Sequence, residues 1–491
     1  MTNKSNKSVM IKAATNLLIL GSLANISTGC MSATRAIGID TSSNKEQDAL
    51  FNKGDFNKSA ALAYESKDKD AKIDDGNLLP TLKAGNAYLF AHDNNASTVM
   101  FNQAEDIIKY QREQILAAST VDYIEQLLLN DAALDYKADM ADSIMVNTYK
   151  AISAMQENKV ADARVEFNRA IDRERRAKEV YAKLIAKQEQ AIEEKKKDKE
   201  DEKEKKETSS LSYSSILSKT LDNSDTKNKI KSHYSNLDTF QAYPDFVNPF
   251  TTYMAGLFFA LNKDYSKSVD LLKESHGMAK NNTVVASDFK MIDDALSGKP
   301  ITKKYVWVIF ENGLAARKEE WKLNVPVFLF SSHVQYVGLA LPELKDGIQA
   351  YKNLDISTNK TKAVKTEIVA DMDRVRLTEF KFGYNAMITR ALFSTTLKTV
   401  AQYETSQHSG YLSLATGLLS AMTTHADTRT WTTLPKDFQV ARVNMPTNRI
   451  INIKYGNNEQ NIKIDKTAKN AIVYVRIPTA IAKPSILVMN Y

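Results

Sequence analysis

The stretch Tyr305-Val306-Trp307-Val308-Ile309-Phe310, followed by Asn312-Gly313, divides this chain of 491 residues into two textures. The run is rich in β-branched and aromatic residues and predicts a strand; Asn-Gly after it predicts a tight turn. Downstream, Val325 to Phe330 and Tyr336 to Leu341 read as further strands, and Thr366 to Ala370 as a weaker one. Ile451-Asn452-Ile453-Lys454-Tyr455 and Ile462-Lys463-Ile464-Asp465 alternate around Gly456-Asn457-Asn458. That pattern predicts a hairpin with one apolar and one solvated face. Ala471 to Ile477 and Ile486 to Met489 complete the set.

Between the strand groups, Ile388, Ala391, Leu392, Thr395 and Thr399 share one face of a helix expected from Arg374 to Glu404. A second helix is expected from Tyr411 to Met422. With Gly417 inside it and so short a span, it reads as a packed core helix, not a membrane span. Residues 300–491 are thus expected to form an α+β domain: an antiparallel sheet or sandwich with a two-helix insert at about 374–424.

Upstream of Pro300 the periodicity is helical, and Pro and Gly are sparse. Three stretches share a finer pattern: Gly85, Tyr88, Phe101 and Ala104; Ala151, Ala163, Phe167 and Ala170; Gly256, Phe259, Tyr265 and Leu272. Small residues suit places where two antiparallel helices approach closely, and aromatic residues fill the space to the next pair. These offsets resemble the tetratricopeptide repeat. Gly85 and Ala151 stand 66 residues apart, and Ala151 and Gly256 stand 105 apart. Those are near two and three repeat lengths of about 34. Degenerate pairs, for example around Tyr123 to Tyr136, would fill the gaps, and Gly54-Asp55-Phe56 with Ala60 and Tyr64 is a partial match at an inter-helix turn. The resemblance implies helical repeats over 44–192 and 243–299, with a concave groove for protein partners lined by first-helix residues such as Asn86 and Asn147.

The two repeat blocks are separated by a charged insertion and linker over 193–242. From Glu193 to Glu207 it holds seven lysines and eight acids, many spaced to pair along an exposed helix. Balanced signs argue against a polybasic membrane patch and for a projecting helix or disordered insertion. Ser209 to Asn236 reads as a polar linker.

At the amino terminus, Lys4, Lys7 and Lys12 precede the apolar segment Ala13 to Leu20, the order of a secretory signal. Leu23-Ala24-Asn25-Ile26-Ser27-Thr28-Gly29-Cys30 follows, and Cys30 is the one cysteine in the chain. The segment resembles a bacterial lipoprotein signal peptide with its lipobox, although Ser27 stands where Leu is commonest. That resemblance implies a signal peptide at 1–29, lipidation of Cys30 and a tether at 30–43. Met31, where an acidic residue would signal inner-membrane retention, implies the outer membrane, facing the periplasm. Without the leader lysines, 63 basic residues face 59 acidic ones, a balance that does not argue for nucleic acid.

The sequence contains no HExxH pair among its six histidines, no GxSxG elbow, no P-loop and no dinucleotide fingerprint. No cofactor, metal or catalytic residue is expected. The densest polar cluster, His425-Ala426-Asp427-Thr428-Arg429-Thr430-Trp431, reads as a helix cap with an Asp–Arg pair, with an envelope hydrolase site as the alternative. The stretches Val306 to Ala315 and Asp427 to Pro435 resemble a family of tetratricopeptide-repeat bacterial outer-membrane lipoproteins with no assigned activity, often encoded beside LpoB-like lipoproteins. The resemblance implies a lipid-anchored periplasmic scaffold in envelope or cell-wall assembly, with an LpoB-like lipoprotein or a peptidoglycan synthase as partner. An accessory part of a secretion or motility machine is a second alternative.

Overall fold

The computed structural model describes residues 42–65, 77–117, 136–204, 213–239, 241–243, 247–330, 333–359, 361–406 and 425–491. Cys30 and the second insert helix at 411–422 lie outside the described residues.

The helical part is built from hairpins of helices. They are α1 (Ser42–Asn52) with α2 (Phe56–Glu65), α3 (Leu78–Phe90) with α4 (Asn94–Ala117), and α5 (Met140–Gln156) with α6 (Val160–Glu204). Further on come α7 (Tyr213–Leu221), α8 (Ser224–His233) and α9 (Asn236–Thr239), then α10 (Pro249–Leu261), α11 (Tyr265–Met278) and α12 (Thr283–Leu296). Four hairpins close the same way. The first helix ends in a left-handed residue: Gly54 (φ 77°), His92 (66°), Asn158 (56°) and Lys263 (62°). The next residue returns a hydrogen bond to the helix: Asp55 N to Leu50 O, Asp93 N to Tyr88 O, Lys159 N to Ala154 O and Asp264 N to Phe259 O. This is the Schellman C-cap, whose 6→1 bond satisfies a carbonyl that the helix end leaves open. Gly54 is the one glycine among these four residues. A Cβ there would sit 2.2 Å from the Lys483 carbonyl oxygen, a contact that only glycine allows.

After the turn, Ser97 Oγ donates to Gly85 O at 2.8 Å, and Ser268 Oγ donates to Gly256 O at 2.8 Å. Phe101 lies against Gly85 and Leu272 against Gly256; a Cβ on either glycine would fall 2.9 Å from the facing side chain. Glycine is therefore what lets these helices approach so closely.

The carboxy-terminal part contributes β1 (Tyr305–Asn312), β2 (Arg317–Phe330), β3 (His333–Lys345), β4 (Asp355–Thr358), β5 (Thr361–Lys365) and β6 (Glu367–Asp371). The long helix α13 (Met372–Ser406) then leads to β7 (Asp437–Asn444), β8 (Ile450–Tyr455), β9 (Asn458–Lys463), β10 (Ala471–Ile477) and β11 (Ser485–Asn490). A central five-stranded sheet runs β11-β10-β1-β7-β6, and a four-stranded sheet runs β5-β4-β8-β9. The expected antiparallel sheet is corrected at one place. β1 and β10 pair in parallel, from Val306 with Ala471 to Asn312 with Ile477. They are distant in sequence, so no tight hairpin forces them to run in opposite directions.

Alternation along the central strands sorts side chains into two layers. Val306, Val308 and Phe310 of β1, with Val473 and Val475 of β10, pack against Ile356, Ile451 and Ile453 of the smaller sheet. Trp307, Ile309, Ile472 and Tyr474 point the other way, into a core shared with Phe51, Phe90, Tyr149 and Phe250 of the helices. The order is helices, central sheet, small sheet. A sheet covered on both faces has near-continuous apolar strands, which is how β1 and β10 read in sequence. One core cluster runs from Phe51 to Met489, and Ser43–Tyr491 is one compact unit. The composition changes at Pro300, but the core does not stop there.

A third cluster lies to one side. β2 and β3 form a long separate hairpin. Val325, Leu339 and Leu341 on it pack with Ile230, Tyr234 and Leu237, and with Leu392 of α13. The stretch read as a polar linker is thus helical from Tyr213 and in part buried. Its polar residues hide an apolar stripe, and Asn223 caps α8 through Thr226 N at 2.8 Å. The charged block begins within α6, which continues to Glu204.

Candidate functional site

Of the residues singled out for repeat packing, Gly85 packs under Phe101 and Gly256 under Leu272. Phe101, Ala104, Ala151, Ala163, Phe167, Ala170, Phe259 and Leu272 are fully buried. Tyr88 and Tyr265 are partly buried against the same core. Phe167 meets Phe258 with ring centroids 5.2 Å apart.

Asn86 and Asn147 are both 0% exposed, so neither lines an open groove. Asn147 Nδ2 instead donates to Glu166 Oε2 at 2.6 Å and Glu105 Oε1 at 3.2 Å. The inner helix faces are occupied by the chain's own sheet. Phe250 stacks on Phe438 of β7 at 3.6 Å and Phe90 on Tyr474 of β10 at 6.4 Å. The sequence carries a signal for this: α10 reads Pro-Phe-Thr-Thr-Tyr-Met-Ala-Gly-Leu-Phe-Phe-Ala-Leu, apolar all round. A helix with no polar face is covered on every side.

At the buried seam between helices and sheet lies a closed polar network. Glu311 of β1 accepts from Tyr149 at 2.9 Å and Tyr474 at 2.5 Å, and pairs with Arg476 Nε at 3.1 Å. Arg476 also donates to the carbonyls of Gly313 and Thr433 at 2.7 and 3.0 Å. Every member is buried, and hydrogen bonds from the two tyrosines and to the two carbonyls flank the charge pair, the condition under which an interior ion pair is tolerated.

The segment His425 to Trp431 packs against β2. His425 Nδ1 lies 3.3 Å from Glu320 Oε2, which also accepts from Ala426 N at 2.7 Å. Arg429 grips Asp427 with two bonds of 2.8 and 3.0 Å. Burial alone would raise the Asp427 pKa, but this fork holds it below the usual value. Trp431 is fully buried, between Phe101 and Tyr149.

Beside this segment is a titratable cluster that spans the fold and whose members are scattered in sequence. Asp139 stands at the N-cap position of α5 without a side-chain capping bond, and Asp142 lies in the first turn. Glu379 of α13 accepts from the backbone N–H groups of Met140 and Ala141 at the same helix end. Tyr136 donates to Asp142. Arg376 lies 3.5 Å from Asp142 Oδ1 and donates to the Trp431 carbonyl at 3.2 Å. Lys318 of β2 stands 3.9 Å from Asp139. Three carboxylates therefore face two cations, with Asp142, Glu379 and Arg376 buried and Asp139 and Lys318 partly exposed. Burial raises Asp142 from 3.8 to about 6 despite Arg376, and burial with Asp139 raises Glu379 well above the carboxylate range. The arrangement can hold and release a proton at a joint between α5, α13, β2 and the 425–431 segment. Sequence reasoning missed it because Asp142 and Glu379 come from opposite halves of the chain.

Among the described residues no three His, Cys, Asp or Glu converge as a metal site, and no helix is long and apolar enough to cross a membrane. Compared with known proteins, the chain matches no family model and no curated protein.

Proposed function

We propose that this chain is a lipid-anchored scaffold of the outer membrane, facing the periplasm, built on tetratricopeptide-type helix pairs and serving envelope or cell-wall assembly. The observation that supports it best is the recurrence of one closing geometry in four helix hairpins. Repeated hairpins that share a core are the usual frame for holding a protein partner. The lipobox ending at Cys30 supplies the anchor in this reading.

The partner site moves to the outer helices, because the inner faces pack on the chain's own sheet. The second helices carry exposed apolar side chains: Val99 and Tyr110 on α4, Val160 and Val165 on α6. A partner of the kind proposed, an LpoB-like lipoprotein or a peptidoglycan synthase, would meet this outer face. The test is crosslinking and affinity capture from the native envelope. Val99→Glu with Val165→Glu should reduce capture of the wild-type partner while leaving the melting curve in place. Unchanged capture would sink the outer-face scaffold.

The contact between His425 and Glu320 keeps an envelope hydrolase as the second reading. If His425→Ala removed the cellular phenotype while stability and capture stayed level, the hydrolase would replace the scaffold.

A further inference from the structure

At the end of the central sheet where β1 begins, a shallow cleft of about 410 Å³ is lined by Lys303, Lys304, Asn444, Met445, Pro446, Thr447 and Arg449. Three of these are cations, and none of the lining residues is acidic. Lys303 and Lys304 are exposed and make no ion pair within the described residues. Their neighbour Lys299 is different: it is spoken for by Asp294 at 2.8 Å.

Arg449 supplies an independent observation. Its φ is +59°, in the left-handed region that disfavours a side chain such as arginine. It closes the turn from β7 into β8, with its N–H bonded to Pro446 O at 3.1 Å and its carbonyl accepting from Ile464 N at 2.8 Å. Glycine or asparagine would suit the backbone there better. The guanidinium donates through Nη1 to the carbonyls of Ala468 at 2.6 Å and Asp465 at 3.5 Å. Those bonds fix its direction and leave Nε and Nη2 without a partner among the described residues. The Asp465 carboxylate is held through Oδ1 by Thr467 N at 2.7 Å and Thr467 Oγ1 at 2.5 Å, bonds that lower its pKa. It feels the Arg449 charge, which adds to that lowering, but makes no hydrogen bond to the guanidinium. A strained backbone that carries an oriented, half-used arginine into a cleft is the pattern expected of a binding residue.

We propose that this cleft binds a phosphate-bearing group. Two ammonium groups and a guanidinium fork suit one polyanionic phosphate group or two or more singly charged phosphodiesters side by side. The Asn444 amide and the Thr447 hydroxyl add neutral donors. A concave wall of one sign holds a counter-ion better than isolated surface lysines, which salt screens. The group could belong to a soluble diphosphate or to a lipid headgroup, and the chemistry recognised is the same. The proposal does not depend on the scaffold reading or on the lipid anchor.

The test uses the full chain carrying Cys30→Ser, so that acylation cannot add membrane affinity. Two probes are compared: sodium pyrophosphate by titration calorimetry, and flotation with vesicles of phosphatidylglycerol against phosphatidylcholine alone. Lys303→Glu with Lys304→Glu, and separately Arg449→Gly, should weaken binding by about tenfold or more. Added salt should weaken binding to the parent. Binding of pyrophosphate alone supports a soluble ligand. Preference for phosphatidylglycerol that the variants lose supports a headgroup. Binding of neither probe, or binding that both variants keep, overturns the proposal. Arg449→Gly relieves the left-handed strain; should it nonetheless unfold, the exposed lysine pair alone decides.

Discussion

Gly85 and Gly277 are both glycines within helices, yet they should respond to alanine in opposite ways. A Cβ on Gly85 meets the Phe101 ring at 2.9 Å, while a Cβ on Gly277 meets nothing within 4 Å. Gly85→Ala is expected to destabilise the fold by roughly 1–3 kcal/mol through overpacking. Gly277→Ala should stabilise it by about 0.5–1 kcal/mol, because alanine loses less backbone entropy in a helix. Urea melts of the two variants beside the parent check both signs. Ala170, fully buried, belongs with Gly85: Ala170→Leu should also destabilise by roughly 1–3 kcal/mol. Asp142 sets a pH dependence of definite sign. Its pKa is raised on folding from 3.8 to about 6, so the folded state holds the proton that the unfolded state has lost. Stability should therefore fall as pH rises through that window, by on the order of 3 kcal/mol, and Glu379 acts in the same direction. Asp142→Asn mimics the protonated acid and keeps the Tyr136 contact, so its melting temperature should vary less from pH 4 to pH 6.5 than the parent's. An equal slope in both proteins would remove Asp142 from the account.

At the level of elements, the strands and helices legible in sequence are those whose environment is uniform. β10 was expected at Ala471 to Ile477 and is found there, because both of its faces are covered and the run is almost unbroken. β7 went unread although it is central. Its Asp437, Gln439 and Arg442 break the apolar pattern, and each is satisfied by a partner far along the chain: Gln349 for Asp437, Thr366 for Gln439 and Asp288 for Arg442. β4 and β5 are too short to show a period. The same reason hides the Asp142–Glu379 cluster, which no local pattern announces. The charged tail of α6 gives an element-scale expectation. Gln188 still bonds to Ala386 O at 3.2 Å, and Ala191 and Ile192 are still buried. Deleting Lys195 to Ser210 should thus change stability by only about 1 kcal/mol, a few degrees in the melt. Cutting from Gln188 onward should do more harm, and a thermal scan of both deletions separates the cases.

For the whole molecule, the shared core forbids treating the two halves as separable parts. Trp307, Phe438 and Tyr474 of the sheet belong to one cluster with Phe51, Tyr149 and Phe250 of the helices. Residues 300–491 expressed alone would expose that face and lose the Tyr149 bond to Glu311. The fragment should show no cooperative melt, whereas the full chain should; calorimetry distinguishes the two. Across the same seam, Glu311→Ala should destabilise by about 3–5 kcal/mol, since it strands the Arg476 charge in the interior. The anchor is tested at this scale too. Cys30→Ser is expected to abolish labelled-lipid uptake and release the chain from outer-membrane fractions. Retention of both in the variant would rule the anchor out.

A stack of helix hairpins that touches only itself can gain or lose a unit in evolution with little penalty, since each unit sees just its neighbours. The hairpins here lie across a sheet of five strands, and that sheet has a fixed width. The sheet is therefore a ruler. Inserting one more helix pair would leave it overhanging with nothing beneath, and removing one would bare part of the ruler to water. Length drift in this protein is then confined to places off the ruler, such as the far end of α6, while the number of hairpins stays put.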